Sequence, residues 1–214
     1  MNKTFLISTI CLTVSAASLM AQNPAPKDDN PLSGLNLSDF PEANANANVK
    51  ASASSNTDTV PSPFVKDFTG HLIVMDHGTP KDFDASTLSN VKYWAFYYSG
   101  SWCPPCQAFT PHLVDFYRYF KKSHPNFELI FVDRDPTEAG LLAYMTADEM
   151  TWPALKHADR FLSTVVALKQ SKGIPELLLT DENGKTLSDS TRPNGTDPGR
   201  VMDDIKKMVP TPGT

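Results

Sequence analysis

The sequence contains no long run of charge of one sign. Its 19 Lys and Arg residues and 24 Asp and Glu residues are interspersed, and the formal net charge of the 214-residue chain is -5. Proteins that bind nucleic acid or an anionic membrane usually present a clustered basic surface. We therefore expect no nucleic-acid partner, and we expect the protein to act on other proteins or on small thiols.

The chain also lacks an apolar run long enough to span a membrane comfortably, which takes about 20 predominantly apolar residues. The stretch from Phe5 to Met20 follows a positive charge at Lys3 and ends in small residues, a pattern typical of a secretory signal peptide. We predict a signal peptide over residues 1–21, cleaved near Ala21, and a periplasmic or secreted protein with no stable membrane span. The alternative is a retained anchor, because Leu19 stands where cleavage usually requires a small residue.

Cysteine is scarce, with three in the chain. Cys11 lies inside the predicted signal peptide, so the mature protein would retain only Cys103 and Cys106. In an exported protein with two cysteines, the thiols can pair only with each other.

Apolar residues are sparse between the predicted signal peptide and residue 64. Residues 22–63 are rich in Asn, Ala, Ser, Asp and Pro. Such a segment cannot bury enough apolar surface to offset the entropy lost on ordering. We predict a disordered linker over residues 22–63 and a single folded domain over residues 64–214.

The predicted domain alternates strand and helix patterns. Strands are predicted over residues 72–75, 93–98, 127–132, 176–180 and 185–187, and helices over residues 105–120, 136–147, 161–169 and 201–208. Apolar spacing of three and four continues through Pro111, so we expect a kink there and no break. Asn183-Gly184 indicates a hairpin turn. This order predicts an α/β sheet covered by helices.

The motif Cys103-Pro104-Pro105-Cys106 falls where a predicted strand gives way to a helix. Cys103 would lie beside unpaired N–H groups at the helix start, which favour its thiolate. A thiolate attacks disulfides, and Cys106, one helical turn further on, can resolve the resulting mixed disulfide. The motif therefore indicates thiol–disulfide exchange through a redox-active disulfide, with no bound cofactor required.

Three other interpretations of the cysteine pair are weaker. A structural disulfide closing so short a loop gives little entropic stabilisation. A zinc or copper site would need more ligands than the two cysteines and the nearby His112 supply. Covalent haem attachment requires His directly after the second cysteine, and Gln107 stands there.

The residues around the motif resemble the tryparedoxin and nucleoredoxin branch of the thioredoxin superfamily. The match includes Tyr-Tyr-Ser-Gly-Ser-Trp-Cys-Pro-Pro-Cys at residues 97–106 and continues through similar segments at 109–111, 116–117, 127–135, 152–155, 159–160 and 173–175. The resemblance covers roughly residues 64–208. It implies a thioredoxin-like fold, with a central mixed β-sheet flanked by helices.

The resemblance also implies roles for the motif residues. Cys103 would be the nucleophile and Cys106 the resolving thiol, joined in a disulfide in the oxidised protein. Trp102 would be the flat apolar neighbour on which substrate chains rest, and Pro104 and Pro105 would complete that contact surface.

Outside the motif, the resemblance makes Pro175 a cis-proline facing the cysteines. The cis bond would aim the Ile174 backbone at an incoming polypeptide for strand-like pairing. From the sequence alone, Ile174-Pro175 only marks the start of a strand. Trp152 would lie in a loop near the motif and contact substrate, with a core position as the alternative.

One position departs from thioredoxins proper. They carry a buried Asp six residues before the first cysteine, and this chain has Tyr97 there. The proton acceptor for Cys106 is therefore open. Glu149 and Asp133 are candidate bases, although we expect a solvated surface position for each.

Together these observations predict an exported, monomeric thiol–disulfide oxidoreductase that exchanges disulfides with client proteins and with an unidentified redox partner. The direction of electron flow is open, because tens of millivolts change the equilibrium tenfold. One alternative is a redox-inactive adaptor or metal-chaperone module of the same fold. Another is a dedicated electron donor to a single client, such as a cytochrome-maturation protein or a peroxidase.

Overall fold

The computed structural model describes residues 62–213. The predicted signal peptide, its retained-anchor alternative and all but the last two residues of the predicted linker lie outside the described residues. Within residues 62–213, no helix is both long enough and apolar enough to cross a membrane.

The fold is built on a seven-stranded sheet. In chain order the strands are β1 Leu72–Asp76, β2 Thr79–Asp82, β3 Tyr93–Ser99, β4 Phe127–Asp133, β5 Ala154–Leu155, β6 Glu176–Asp181 and β7 Thr186–Asp189. Their order in the sheet is β2-β1-β5-β4-β3-β6-β7. At the centre, β3 runs parallel to β4 and antiparallel to β6, so the sheet is mixed, as predicted.

Five α-helices accompany the sheet within residues 62–213. They are α1 Pro63–Phe68, α2 Pro104–Ser123, α3 Glu138–Ala147, α4 Ser163–Leu168 and α5 Pro198–Met208. Short 3-10 turns cover Ala85–Leu88 and His157–Asp159, and strands β8 Thr191–Arg192 and β9 Gly195–Thr196 form a small separate hairpin. The predicted α/β class and thioredoxin-like arrangement are confirmed.

Alternation along the central strands divides the core between the two faces of the sheet, because successive side chains of a strand point to opposite sides. Ala95 and Tyr97 belong to the cluster that contains the buried residues of α2, α3 and α5. Trp94, Phe96 and Tyr98 belong to the other cluster, with the phenylalanines of α1. The run of aromatic residues in β3 therefore supplies both cores at once.

The helices and strands that the sequence predicts have a clearer apolar pattern than those that it misses. All five predicted strands and all four predicted helices are present, and α2 continues through Pro111 without interruption. Strands β2, β5, β8 and β9 and helix α1 were not predicted. β2 is exposed at all four positions, and β5 has two residues, so neither carries a usable alternation pattern.

This topology determines where the motif lies. β3 and β4 are parallel, so both end at the same edge of the sheet, and Ser99 is the register partner of Asp133 there. The chain leaves β3 at Ser99 and enters α2 at Pro104. The cysteine motif is therefore at the carboxyl edge of the central strands.

Candidate active site

The two cysteines form a disulfide at the start of α2. Cys103 is the N-cap residue, and the N–H of Cys106 donates to Cys103 Sγ at 3.3 Å. Pro104 and Pro105 occupy the first turn, where a helix N–H has no intrahelical acceptor and a proline costs nothing. The sequence Cys-Pro-Pro-Cys thus begins the helix and places the first sulfur at its N-terminal end.

The two sulfurs differ in accessibility. Cys103 retains 4% of its surface, whereas Cys106 is fully buried. Pro104 and Pro105, which lie between the two cysteines, are exposed. An incoming thiol or disulfide can therefore reach Cys103 first, and Cys106 is placed to act from inside.

The Ile174–Pro175 peptide bond is cis, as predicted. It lies beside the motif, with Cys103 Sγ 3.6 Å from the carbonyl oxygen of Ile174. Pro175 is buried and Ile174 is partly exposed, directly before β6. The structure thus brings residues far apart in sequence to the same sulfur atom, and the docking role of Ile174 remains a prediction.

Trp102 lies on the surface next to Cys103, with 60% of its area exposed. Its indole N–H donates to the carbonyl oxygen of Arg134 at 3.2 Å. A Cβ on Gly100 would lie 2.9 Å from the indole nitrogen, so glycine leaves room for the ring to lie close to the loop backbone. Trp102 is thus accessible beside Cys103, and its contact with substrate remains a prediction.

A buried carboxylate that the sequence analysis did not single out holds the loop before the motif. Asp135 accepts hydrogen bonds from the N–H of Ser101 at 3.0 Å and from its hydroxyl at 2.6 Å. Asp135 is almost fully buried, and the side chain of Gln107 donates to the carbonyl oxygen of Ser101. The sequence shows two acidic residues in the Asp133-Arg134-Asp135 segment, but no local pattern indicates which of them bonds the loop before the cysteine motif.

The expectation of a solvated surface position is wrong for Asp133. This side chain is fully buried at the end of β4, and its Oδ1 accepts the N–H of Asp135 at 3.1 Å. Burial, followed by the neighbouring Asp135, raises the pKa of Asp133 to about 7. The surface position predicted for Glu149 is confirmed, since it is exposed and pairs with Arg118 at 3.2 Å.

Hydroxyl groups surround the region behind Cys106. Thr110 donates to the carbonyl oxygen of Cys106 at 2.9 Å and lies 2.7 Å from the hydroxyl of Tyr97. Tyr144 bonds the same Thr110 hydroxyl and, at 3.0 Å, the hydroxyl of Ser99. Burial raises the pKa of the Tyr97 and Tyr144 phenols, so both are neutral at physiological pH. They position the start of α2 and are not bases.

The prediction that Trp152 contacts substrate is wrong. The side chain is fully buried in the core on the α2 side of the sheet. Its ring meets Tyr117 edge-to-face at 5.4 Å between centroids and Tyr97 at 6.4 Å. The large apolar area of Trp152 is used in packing, so the alternative, a core position, is confirmed.

Comparison with known proteins agrees with this geometry. A family model described as thioredoxin-like matches residues 90–186. Nucleoredoxin of Xenopus laevis is 33% identical over 129 residues, covering 60% of this chain and 30% of that protein. Tryparedoxin of Trypanosoma brucei brucei is 39% identical over 83 residues, covering 38% of this chain and 53% of that protein.

Among solved structures, tryparedoxin II from C. fasciculata superposes with a TM-score of 0.50 at 27% identity. The match covers 71% of this chain and 97% of the tryparedoxin. The chain thus spans nearly the whole of a tryparedoxin fold, but less than a third of the length of the nucleoredoxin.

Proposed function

Because this chain is a tryparedoxin- and nucleoredoxin-like member of the thioredoxin superfamily, we propose that it is an exported thiol–disulfide oxidoreductase acting on client proteins. The observation that carries the proposal is the position of Cys103 Sγ. It lies at the start of α2 and 3.6 Å from the carbonyl oxygen that precedes cis-Pro175.

In the reducing direction, the Cys103 thiolate attacks one sulfur of a client disulfide. A Cys103–client disulfide forms, and the other client sulfur leaves as a thiolate. Cys106 then loses its proton and attacks Cys103 Sγ, which closes the Cys103–Cys106 disulfide and releases the second client thiolate. Two electrons pass from the protein to the client, and the reverse sequence oxidises a client dithiol.

The neighbourhood supports this order of events. The N-terminal end of α2 stabilises negative charge on Cys103. Client backbone can pair with the partly exposed segment at Ile174, as extended peptides pair with an available strand edge. Trp102 beside Cys103 provides apolar contact for the client chain.

Trapping tests the division of labour between the thiols. In Cys106→Ser the resolving thiol is gone, so a mixed disulfide between Cys103 and client protein should persist on a non-reducing gel. Cys103→Ser is the matched control and should trap nothing. Trapping by Cys103→Ser but not by Cys106→Ser would contradict the assignment.

Trapping and an insulin-reduction assay together distinguish the alternatives. A redox-inactive adaptor would trap no client and would not accelerate insulin reduction by dithiothreitol. A dedicated donor would trap one protein, whereas a general oxidoreductase would trap a set of them.

A further inference from the structure

Two partly exposed arginines and two exposed aromatic side chains lie at the surface beside the redox pair. We call Trp102, Arg134, Arg160 and Phe161 the guanidinium–aromatic patch. The guanidinium carbons of Arg134 and Arg160 lie 5.6 Å and 4.8 Å from the Phe161 ring centroid. Trp102 joins the patch through its hydrogen bond to the Arg134 carbonyl oxygen. The patch therefore begins at the residue next to Cys103.

The aromatic members of the patch are unusually accessible. Trp102 and Phe161 are each 60% exposed, more than any other large hydrophobic side chain in the described part of the chain. Exposed apolar area of this kind is costly unless a partner covers it. Aromatic and arginine side chains are also the residues that contribute most to binding at protein surfaces.

Neither arginine of the patch forms a salt bridge within the described residues. Across residues 62–213, no acidic side chain lies within salt-bridge distance of Arg134 or Arg160, although thirteen such pairs occur elsewhere. Arg134 also packs over the ring of Tyr98 at 5.4 Å, and Arg160 donates to the carbonyl oxygen of His157.

The acids nearest in sequence are already engaged. Asp135 is buried and bonded to Ser101, and Asp159 pairs with His71. Asp133 interacts electrostatically with Arg160 but is fully buried. The patch thus presents positive charge at the surface of a protein whose net charge is negative.

We propose that the guanidinium–aromatic patch binds a client polypeptide segment carrying an acidic side chain close to its reacting cysteine. This inference rests on the proposed function and specifies its substrate class. The planar guanidiniums match a carboxylate, and the Trp102 and Phe161 rings accept the neighbouring apolar part of the segment. Because the patch begins at Trp102, next to Cys103, and an extended chain advances about 3.3 Å per residue, the proposal puts the carboxylate roughly two to four residues from the reacting cysteine.

The test uses single-cysteine peptides activated as mixed disulfides with 2-thiopyridine. The pre-reduced protein attacks the peptide sulfur, and the released thiopyridone is followed by absorbance. Three peptides differ only at the third residue before cysteine, which is Glu, Gln or Lys. We expect the Glu peptide to react about two- to fivefold faster than the Gln peptide, as for partly exposed charge pairs, and the Lys peptide to be slowest.

Arg134→Gln should lower the Glu-to-Gln rate ratio towards one, because one of the two guanidiniums of the patch is removed. The matched control is Arg118→Gln, the same change about 22 Å from Cys103 along α2 at about 1.5 Å per residue. This variant should keep the wild-type ratio. The ratio should also fall with added salt, because exposed charges are screened.

Each result is informative. Equal rates for the three peptides, or an unchanged ratio in Arg134→Gln, would overturn the proposal while leaving thiol–disulfide exchange intact. If Arg134→Gln changed the rate with glutathione disulfide but with none of the peptides, the proposal would also be overturned, and the patch would instead bind small thiols. Failure of the wild-type protein to react with any peptide would instead reject the proposed function.

Discussion

Asp133 is fully buried at the carboxyl end of β4, and its Oδ2 has no hydrogen-bond partner within residues 62–213. Its raised pKa, about 7, means that the folded protein holds a proton that the unfolded chain, with a value near 3.8, releases. The contribution of this carboxyl to stability is therefore complete below about pH 4. It is lost as pH rises towards 7 and is constant above that.

Asp133→Asn tests this dependence. The neutral amide has no charge to bury, so the variant should gain stability relative to wild type between pH 4 and 8, on the order of 3 kcal/mol at the upper end. Urea unfolding at several pH values measures the difference. Glu149→Gln, the same change at an exposed carboxylate, is the control. A constant difference between Asp133→Asn and wild type across this range would contradict the expectation.

The two tryptophans near the motif provide a second contrast at the residue scale. Trp152→Ala removes a fully buried ring and should lower the free energy of unfolding by about 3–5 kcal/mol. Trp102→Ala removes a ring that is mostly in solvent, so it should change stability little and slow client exchange. Denaturant midpoints and insulin-reduction rates measured together separate the two effects. Similar stability losses in both variants would contradict the assigned positions.

Single residues also show where sequence reasoning succeeds. Cys103, Cys106 and cis-Pro175 were predicted because a motif and a family resemblance identify them without knowledge of packing. The burial of Asp133 and Trp152 was not predicted, because it depends on which strands and helices cover them. A charged residue after a strand is usually solvated, and the burial of Asp133 at the end of the central strand β4 is visible only in the three-dimensional structure.

At the scale of elements, the loop between β3 and α2 depends on one carboxylate from the loop after β4. Asp135 accepts two hydrogen bonds from Ser101, and Gly140 of α3 allows the close approach, since a Cβ there would lie 3.0 Å from the Asp135 Cβ. This arrangement ties the motif loop to both β4 and α3. It explains how a loop with an exposed tryptophan can hold Cys103 in place.

Asp135→Ala should therefore loosen the motif loop. It leaves the Ser101 N–H without its acceptor, which costs about 1–3 kcal/mol, and it should slow client exchange more than Ser101→Ala, which removes only the hydroxyl contact. Exchange rates, unfolding curves and hydrogen exchange at residues 100–103 are the measurements. Equal exchange rates in Asp135→Ala and wild type would show that the loop does not need this anchor.

The predicted elements were those with a strong apolar pattern. The aromatic run of β3 and the stripe along α2 were recognisable because their burial follows the period of the structure. The edge strand β2 has no apolar face, and β5 is too short to show one. β5 pairs with β1 across a long stretch of chain, a tertiary interaction that leaves no local trace, whereas β2 follows β1 through the two-residue turn at His77 and Gly78.

At the scale of the whole molecule, the distribution of charge around the redox site affects how client proteins approach it. The chain is acidic overall, yet the patch beside Cys103 is basic and aromatic. A local positive surface on an acidic protein attracts acidic segments while the remaining surface repels them, which orients an approaching client towards Cys103. This whole-molecule effect predicts that exchange with acidic clients slows as salt increases.

Export is the last prediction, and it concerns residues 1–21. An apolar stretch from Phe5 to Met20 behind a single positive charge should direct secretion and be removed near Ala21. Val14→Arg places a charge in the middle of this stretch and should block export, whereas Val60→Arg, the same change in the predicted linker, should not. Intact-mass analysis of exported and retained protein provides the readout. A mature chain that still begins at Met1, or normal export of Val14→Arg, would contradict a cleaved signal peptide.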